Sequence, residues 1–388
     1  MTTTTNHAPV RPFRIVDCTL REGEQFALAS FDSDERHAIA RALDAFGVDT
    51  IELTTPMASP GAAADLRSIA SLGLDATIAT HVRCRREDVE AALACGVGAV
   101  HLVLGTSPVL RGSSHGRDLA GILDLARDVL PAVVGRGVEV RFSLEDAFRT
   151  PTPDVLRVAQ AVEDLGVDRV GVADTVGVAT PDEVAQRIGL LRGAVACDIE
   201  FHGHNDGACA VANAWAAWRA GATHLDTTVL GIGERNGIAS LGGLVARACQ
   251  SAPETVERFA LERLAGLDAL VAGAVGVDVP FNACITGPTA FAHKAGLHAK
   301  AVLADPTSYE SLDPARFGLE REVLLGHTLV GRHGVAARAR DLGLELSGSV
   351  LTDATRRLKS LADGGTLTPD CVDAVLRSHA TVTTSPVH

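Results

Sequence analysis

Short β-branched runs, each followed by an amphipathic stretch rich in Ala and Leu, recur along the first two thirds of the chain. The runs are RIVDCTL (14–20), TIELTT (50–55), ATIATHV (76–82), AVHLVLG (99–105), EVRFSLE (139–145), RVGVADT (169–175), DIEFHGH (198–204) and HLDTTVLG (224–231). The intervals, such as SDERHAIARALDAFG and TPDEVAQRIGLLRG, have helical periodicity. Helix starts are punctuated. Ser33 with Arg36 reads as one N-cap, and Thr180 before Pro181, with Glu183 three positions on, reads as a capping box. Gly47, Gly96, Gly137 and Gly166, each in a GV dipeptide, fit left-handed helix ends just ahead of a strand. Alternating parallel strands and helices form either an open sheet or a closed barrel, and so many β/α units within about 230 residues favour the barrel.

From about Gln250 the rhythm stops. A helical stretch, Glu254 to Ala274, is followed by the Gly- and Pro-containing VDVPFNACITGPTAFAHKAGLHAKAVL and then by further helices. The expected fold class is α/β, a TIM (β/α)8 barrel with a smaller, mainly helical C-terminal lid or dimerisation region. The expected division is a disordered leader at 1–12, a catalytic barrel at 13–270, a lid subdomain at 271–333 and a helical subdomain at 334–388.

In such a barrel chemistry sits at the C-terminal ends of the strands. Polar clusters fall there in every unit but the fourth. They are Arg21, Glu22 and Gln25; Glu52 and Thr54; His81 and Arg83; Arg141, Ser143 and Glu145; Asp174 and Thr175; Glu200, His202 and His204; and Glu234, Arg235 and Asn236. His202 and His204 in FHGHND stand two apart, so on a strand both imidazoles point to one face. Alone, such a pair is more often two hydrogen-bonded core histidines than a metal site. The surrounding carboxylates favour the metal, since two histidines and one carboxylate leave a divalent ion open positions for substrate.

Composition narrows the classes. The chain has 388 residues, 46% of them hydrophobic, and can bury a large aliphatic core. No apolar run approaches the roughly 18 to 20 residues of a membrane helix, and MTTTTNHAPVRP lacks a signal-peptide core. The eight cysteines include no CxxC pair, which argues against a disulfide framework and for a reducing, cytoplasmic setting. A formal net charge of −13 disfavours nucleic acid and anionic membrane as partners, so an anionic substrate needs a local basic pocket. VLGIGERNG lacks both the phosphate-loop and the dinucleotide spacing.

DCTLREGEQ, Asp17 to Gln25, resembles the signature of the metal-dependent Claisen-condensing barrels, the DRE-TIM family that includes isopropylmalate and homocitrate synthases. Its Arg-Glu pair resembles the homocitrate branch. IELTTPMASP, THVRC, GTSPVLR, SHG, VRFSLEDAFR, GVADTVG, THLDTTVLGIGERNG and HKAGLHAKAVLADPTSYE extend the resemblance from about residue 13 to residue 330. It implies that Glu22, His202 and His204 bind one divalent ion (Zn, Mg, Mn or Co), with Arg21 placing charge beside the keto oxygen of a 2-oxo acid. Arg141, His81 and Ser143 are similar to the trio that holds the distal carboxylate of 2-oxoglutarate, and Thr175 to the residue that bonds the proximal one. Gln25, Glu52 and Glu145 complete the pocket or its surroundings.

The same resemblance implies that His298 and Tyr309 take a proton from the methyl group of acetyl-CoA, with Glu200 orienting the histidine. Both lie in the tail, and the family implies that they act in the partner subunit's site of a homodimer. Asn236 is placed near the metal, and Arg111 and His115 either approach the acyl-CoA or lie on a solvated loop. The implied reaction is condensation of acetyl-CoA with 2-oxoglutarate and thioester hydrolysis. The alternatives are the same condensation on another acidic 2-oxo acid such as oxaloacetate, a metal-dependent carbon–carbon lyase, or a catalytically silent metal-binding protein. His101 stands where lysine-biosynthetic relatives usually carry an aspartate that helps bind feedback lysine. Lysine inhibition is therefore expected to be weak, and a sub-millimolar inhibition constant would contradict that. The pathway served, whether lysine synthesis, a nitrogenase cofactor or a specialised product, is left open.

Overall fold

The computed structural model describes residues 12–346 and 348–382. The expected leader lies outside the described residues except for Pro12. The chain divides after Gly287 into two compact units.

The first unit is a closed barrel of eight parallel strands in sequence order. They are β1 (Arg14–Asp17), β2 (Thr50–Leu53), β3 (Thr77–Arg83), β4 (Ala99–Gly105), β5 (Glu139–Glu145), β6 (Arg169–Asp174), β7 (Asp198–Gly203) and β8 (His224–Thr227). Closure comes from β1 against β8, with Arg14 to Asp17 in register with His224 to Thr227. Between the strands run α1 (Ser33–Phe46), α2 (Pro60–Ala70), α3 (Arg86–Leu93), the short α4 (Pro108–Leu110), α5 (Leu119–Val129), α6 (Thr152–Asp164), α7 (Pro181–Ala194) and α8 (Ala210–Ala220). Two more, α9 (Leu241–Ser251) and α10 (Leu264–Val275), complete the unit.

The punctuation works largely as read. Thr180 and Glu183 form the capping box of α7 with Pro181 in its first turn. At α1 the cap lies one residue earlier than expected: Asp32, not Ser33, accepts from Glu35 N, and Glu35 bonds back to Asp32 N. An ionised carboxylate is the stronger acceptor at a helix N-terminus, and Ser33 Oγ is engaged by Asp65. The four GV glycines all have left-handed φ. The expected helix from Glu254 to Ala274 forms only in its second half, as α10. Before it, Phe259 stacks on Phe46 and Ala260 N donates to Phe46 O, and these ties to the end of α1 hold residues 253–263 in short turns.

Alternation along the strands sets two layers. On β5, Val140, Phe142 and Leu144 are buried against the helical shell, whereas Arg141, Ser143 and Glu145 face the barrel axis. Barrel interiors are normally filled by branched aliphatic side chains. Here Glu52, His101, Arg141, Arg169, Glu200, His224 and Asp226 are all buried. Desolvating so many ionisable groups is costly unless each finds a partner, so this interior serves a site more than stability.

Asp17, which opens DCTLREGEQ, is fully buried at the end of β1. Its carboxylate accepts from Thr19 N at 2.9 Å and from Thr227 Oγ1 at 3.4 Å. Burial outweighs those bonds and pushes its carboxyl up to about 7. A folded-state pKa above the unfolded value contributes stability present below the unfolded pKa and lost as pH rises through the folded one. The stability gap between wild type and Asp17→Asn is therefore expected to shift in favour of the Asn variant as pH rises from about 4 to 7. Denaturant melts at several pH values check this, and a pH-independent gap would refute it.

The second unit holds α11 (Gly296–Ala304), α12 (Arg332–Asp341), α13 (Gly348–Ala362) and α14 (Pro369–Val382). It also carries a two-stranded parallel pair, β9 (Ala292–His293) and β10 (Glu322–Val323), which was not expected in the tail. Its core joins Val330, Val335, Ala354, Leu358 and Leu376. No helix among the described residues is long and apolar enough to cross a membrane, and none of the eight cysteines is joined in a disulfide.

Candidate active site

At the C-terminal ends of the strands lies a cavity of about 280 Å³. It brings together Arg21, Glu22 and Gln25 after β1, His81 of β3, Arg141, Ser143 and Glu145 of β5, Thr175 after β6, and Glu200, His202 and His204 of and after β7. Of the barrel residues expected to bind the metal or the 2-oxo acid or to act in the reaction, only Glu52 lies outside the lining. It is fully buried and bonds to Arg21, Arg141 and His101.

Glu22, His202 and His204 converge, with their ligand atoms all within 4.8 Å of one another. The two imidazole Nε2 atoms are 3.3 Å apart, and Glu22 oxygens lie 4.0 Å from His202 Nε2 and 3.9 Å from His204 Nε2. Burial, reinforced by Arg21, pushes His202 down to about 4; burial with His202 alongside does the same to His204. Burial works against the charge on Glu22, but Arg21 and the two histidines hold it at about 2. At neutral pH the trio is therefore one carboxylate and two neutral imidazoles, the protonation state a divalent ion requires.

Asp226 Oδ2 lies 2.9 Å from His202 Nδ1, so that nitrogen carries the proton and Nε2 presents a lone pair to the cavity. His204 Nδ1 is buried without a partner among the described residues. These groups fit a divalent ion. A second convergence, Cys18 with His202 and Asp226, fits one poorly, because burial and the nearby acids hold the Cys18 thiol well above its usual range.

The loop after β8 shapes this corner. His204 bridges Ile238, and Glu234 N donates to Glu22 Oε1 at 2.9 Å. A Cβ on Gly233 would come within 2.8 Å of that same oxygen, so the loop closes over Glu22 only with glycine there. Asn236, expected near the metal, donates to Asp206 and does not line the cavity.

Around the opposite wall Arg141 donates to Glu200 and, at 3.0 Å, to Glu52, with His81 Nδ1 at 3.3 Å. Burial opposes ionisation of Glu52, yet Arg21 and Arg141 keep its carboxyl well below the usual range. Burial pushes His81 down, leaving it neutral beside the guanidinium. Glu200, expected to orient His298, has its carboxylate beside Arg141 and Arg169. Thr175 Oγ1 accepts from Asp146 N at 2.8 Å. Arg111 pairs with Asp154 at 3.4 Å, and the His115 side chain lies outside the described residues.

Ser143 stands close to the backbone of β6. A Cβ on Gly171 would fall 2.3 Å from Ser143 Oγ and 3.1 Å from its Cβ. Gly171→Ala is expected to push Ser143 and the wall it shares with Arg141 out of place. The acceptor KM should rise roughly tenfold, with a stability loss of about 1–3 kcal/mol from overpacking. Steady-state kinetics and thermal melts test this, and an unchanged KM would count against it.

In the second unit His298, on α11, and Tyr309 are exposed and packed together, with ring centroids 4.1 Å apart at 31°. Asp226 and Arg169 were not singled out as site residues. Period-two alternation from Arg141 and His202 onto β6 and β8 was the signal that would have found them.

The HMGL-like family matches residues 12–271, and the homocitrate synthase post-HMGL domain-like family matches 285–366. The mitochondrial homocitrate synthase of Schizosaccharomyces pombe is 50% identical over 95% of this chain and 89% of that protein. The chain belongs to the homocitrate synthase family. The cytosolic isozyme of homocitrate synthase from Saccharomyces cerevisiae is 47% identical over 97% of this chain and 89% of its own length. A solved HMG-CoA lyase from Bacillus subtilis superposes with a TM-score of 0.61 at 20% identity, covering 70% of this chain and 96% of that one, a likeness of fold alone. Family membership accounts for a barrel followed by a second unit. It also makes the cavity at the strand ends the place to look for the reaction.

Proposed function

We propose that this enzyme joins acetyl-CoA to 2-oxoglutarate and hydrolyses the resulting thioester, releasing homocitrate and CoA. The observation that carries the reading is a basic, hydrogen-bonding wall, Arg141 with His81 and Ser143, in the same cavity as the Glu22–His202–His204 group. A guanidinium fork suits a distal carboxylate, and an aliphatic acceptor would have no use for it.

Glu22, His202 and His204 hold a divalent ion, which supplies Lewis-acid polarisation of a keto oxygen. Arg21 lies beside them, bonded to Glu22 and Glu52 at 2.5 Å each, and so aims a fixed charge at the oxygen that becomes an alkoxide. Thr175 bonds the carboxylate next to the keto group. The His298–Tyr309 pair takes a proton from the acetyl methyl, whose carbon then attacks the keto carbon while the keto oxygen gains a proton and becomes a hydroxyl; water then adds its hydroxyl to the acyl carbon as the C–S bond breaks, and its other proton goes to the departing CoA thiol. The pair is exposed on the second unit, and we place it at a partner subunit's cavity in a homodimer. The compartment proposed is the cytoplasm.

The test is thiol release by metal-reconstituted enzyme with acetyl-CoA and a panel of 2-oxo acids. Preference for 2-oxoglutarate and loss of turnover on chelation support the reading. Preference for oxaloacetate or for a monocarboxylate acceptor would replace the acceptor, and failure of acetyl-CoA to support turnover would overturn the reaction.

A further inference from the structure

Beneath the cavity floor, side chains from five strands form a closed ring. Arg141 on β5 donates to Glu52 on β2 at 3.0 Å; Glu52 Oε1 is 2.6 Å from His101 Nδ1 on β4. His101 Nε2 lies 3.3 Å from Arg169 Nη2 on β6, and Arg169 Nε is 3.0 Å from Glu200 Oε2 on β7. Glu200 Oε1 accepts from Arg141 and closes the circuit. The Arg169–Glu200 contact is an ion pair without an aligned hydrogen bond, since both atoms lack a geometrically satisfactory partner. No member is more than 2% exposed.

The ring has a direction that histidine at 101 supplies. Burial, with Arg141 nearby, pushes His101 down to about 4, so the imidazole is neutral. A neutral imidazole has one donor and one acceptor nitrogen. Nδ1 faces a carboxylate and must donate; Nε2 is then free to accept from Arg169. A carboxylate at this position could not donate to Glu52, and an apolar residue could do neither.

Three acids, Glu52, Glu200 and Asp226 (3.8 Å), crowd the Arg141 guanidinium. Arg141 by itself balances only one of them. Arg169 places a second positive charge behind Glu200, anchored on its outer side by Glu139 at 2.6 Å. Arg141 Nε is buried and has no partner among the described residues, so the guanidinium retains an unmet donor. Arg21, bonded to Glu52, and Arg169, beside Glu200, share these acids with Arg141, so Arg141 is not their sole counter-charge and stays at the cavity wall to meet an incoming carboxylate.

We infer that His101 and Arg169 are positioning residues for the acceptor's distal carboxylate, acting through the ring on Arg141 without touching substrate. The inference deepens the proposed function and rests on the assignment of Arg141 to that carboxylate. Its signature is selective. Loss of either residue impairs binding of an acceptor with a distal carboxylate and leaves one without it alone, whereas a merely structural role lowers activity towards both.

The experiment measures KM for 2-oxoglutarate, for 2-oxoisovalerate and for acetyl-CoA in the full-length, metal-reconstituted enzyme and its His101→Leu and Arg169→Lys variants. The KM for 2-oxoglutarate is expected to rise on the order of tenfold or more, with the other two constants unchanged within about twofold. His101→Asn, whose amide can still donate to Glu52, is expected to recover part of the loss. Equal shifts for both acceptors, or a fall in kcat alone, would overturn the inference. Should the two variants not accumulate as folded protein, Glu139→Gln loosens Arg169 from its partly exposed outer side and should give the same selectivity at smaller amplitude; an unselective effect there overturns the inference too. A wild-type enzyme with no preference for 2-oxoglutarate overturns the acceptor assignment and this inference with it. A wild-type preference that survives in every variant overturns the inference alone.

Discussion

Replacing His202 or His204 with Ala is expected to strip the enzyme of its divalent ion and to lower kcat/KM by at least about a thousandfold. Among the described residues, the two imidazole Nε2 atoms and the Glu22 carboxylate form the convergence of ligand atoms whose three members all line the cavity. Removing one of three protein ligands leaves too few to hold the ion against dialysis. Elemental analysis of desalted protein, run beside turnover, checks both halves of the expectation. Chelated wild type should match the variants in activity. Full activity or full metal content in either variant would sink the assignment. His204→Ala removes an uncharged imidazole whose Nδ1 has no partner among the described residues, so in that variant loss of the metal is not confused with unfolding; His202→Ala also takes from the buried Asp226 its 2.9 Å donor, and a thermal melt accompanies it.

Arg141→Met should produce the other large effect, a fall in kcat/KM for 2-oxoglutarate of roughly a hundred- to a thousandfold. Here the structural background is less benign. Glu52 and Glu200 would each lose a charged partner, so a stability cost of about 3–5 kcal/mol is also expected. The two consequences separate in the ratio of rates for 2-oxoglutarate and a monocarboxylate 2-oxo acid. Loss of folded enzyme scales both rates; loss of carboxylate recognition changes their ratio. Arg141→Lys keeps a charge but not the planar fork, and should recover only a minor part of the ratio. An unchanged ratio in Arg141→Met would remove the main ground for a dicarboxylate acceptor.

Much of this architecture was legible one segment at a time. AVHLVLG and EVRFSLE coincide with β4 and β5 residue for residue: EVRFSLE alternates as a strand buried on its outer face does, and AVHLVLG is a short run, apolar but for His101 and Gly105, of the length of a buried strand. Thr180, Pro181 and Glu183 announced the start of α7 for equally local reasons: the cap satisfies free backbone donors within one turn. Where longer-range ties compete, the reading slipped. Residues 253–263 have helical composition but are held in turns by Phe46, some two hundred residues earlier, and β9 and β10 are too short to show periodicity at all.

Within the site, the residue types at the strand ends follow from the chain alone, and barrel closure obliges them to share one mouth. Their division of labour does not follow. Glu52, Glu145 and Glu200 look alike in sequence, yet Glu145 lines the cavity apart from the ring, Glu200 both lines it and joins the ring with Arg141, and Glu52 joins the ring without lining the cavity. Burial raises the carboxyl of Glu145, with Asp146 adding to it, and paired arginines lower that of Glu52. Ionisation inside a protein depends on solvent access and on neighbours contributed by other strands, and neither is a property of a residue's own segment. The sequence by itself thus determined the barrel, its order of strands and the list of polar groups at its mouth, since hydrophobic period and capping are local. Only the tertiary structure decided which of those groups are charged, that His101 and Arg169 complete a ring with Arg141, and that Asp226 sets the tautomer of His202, because these depend on distances between strands that closure alone brings together.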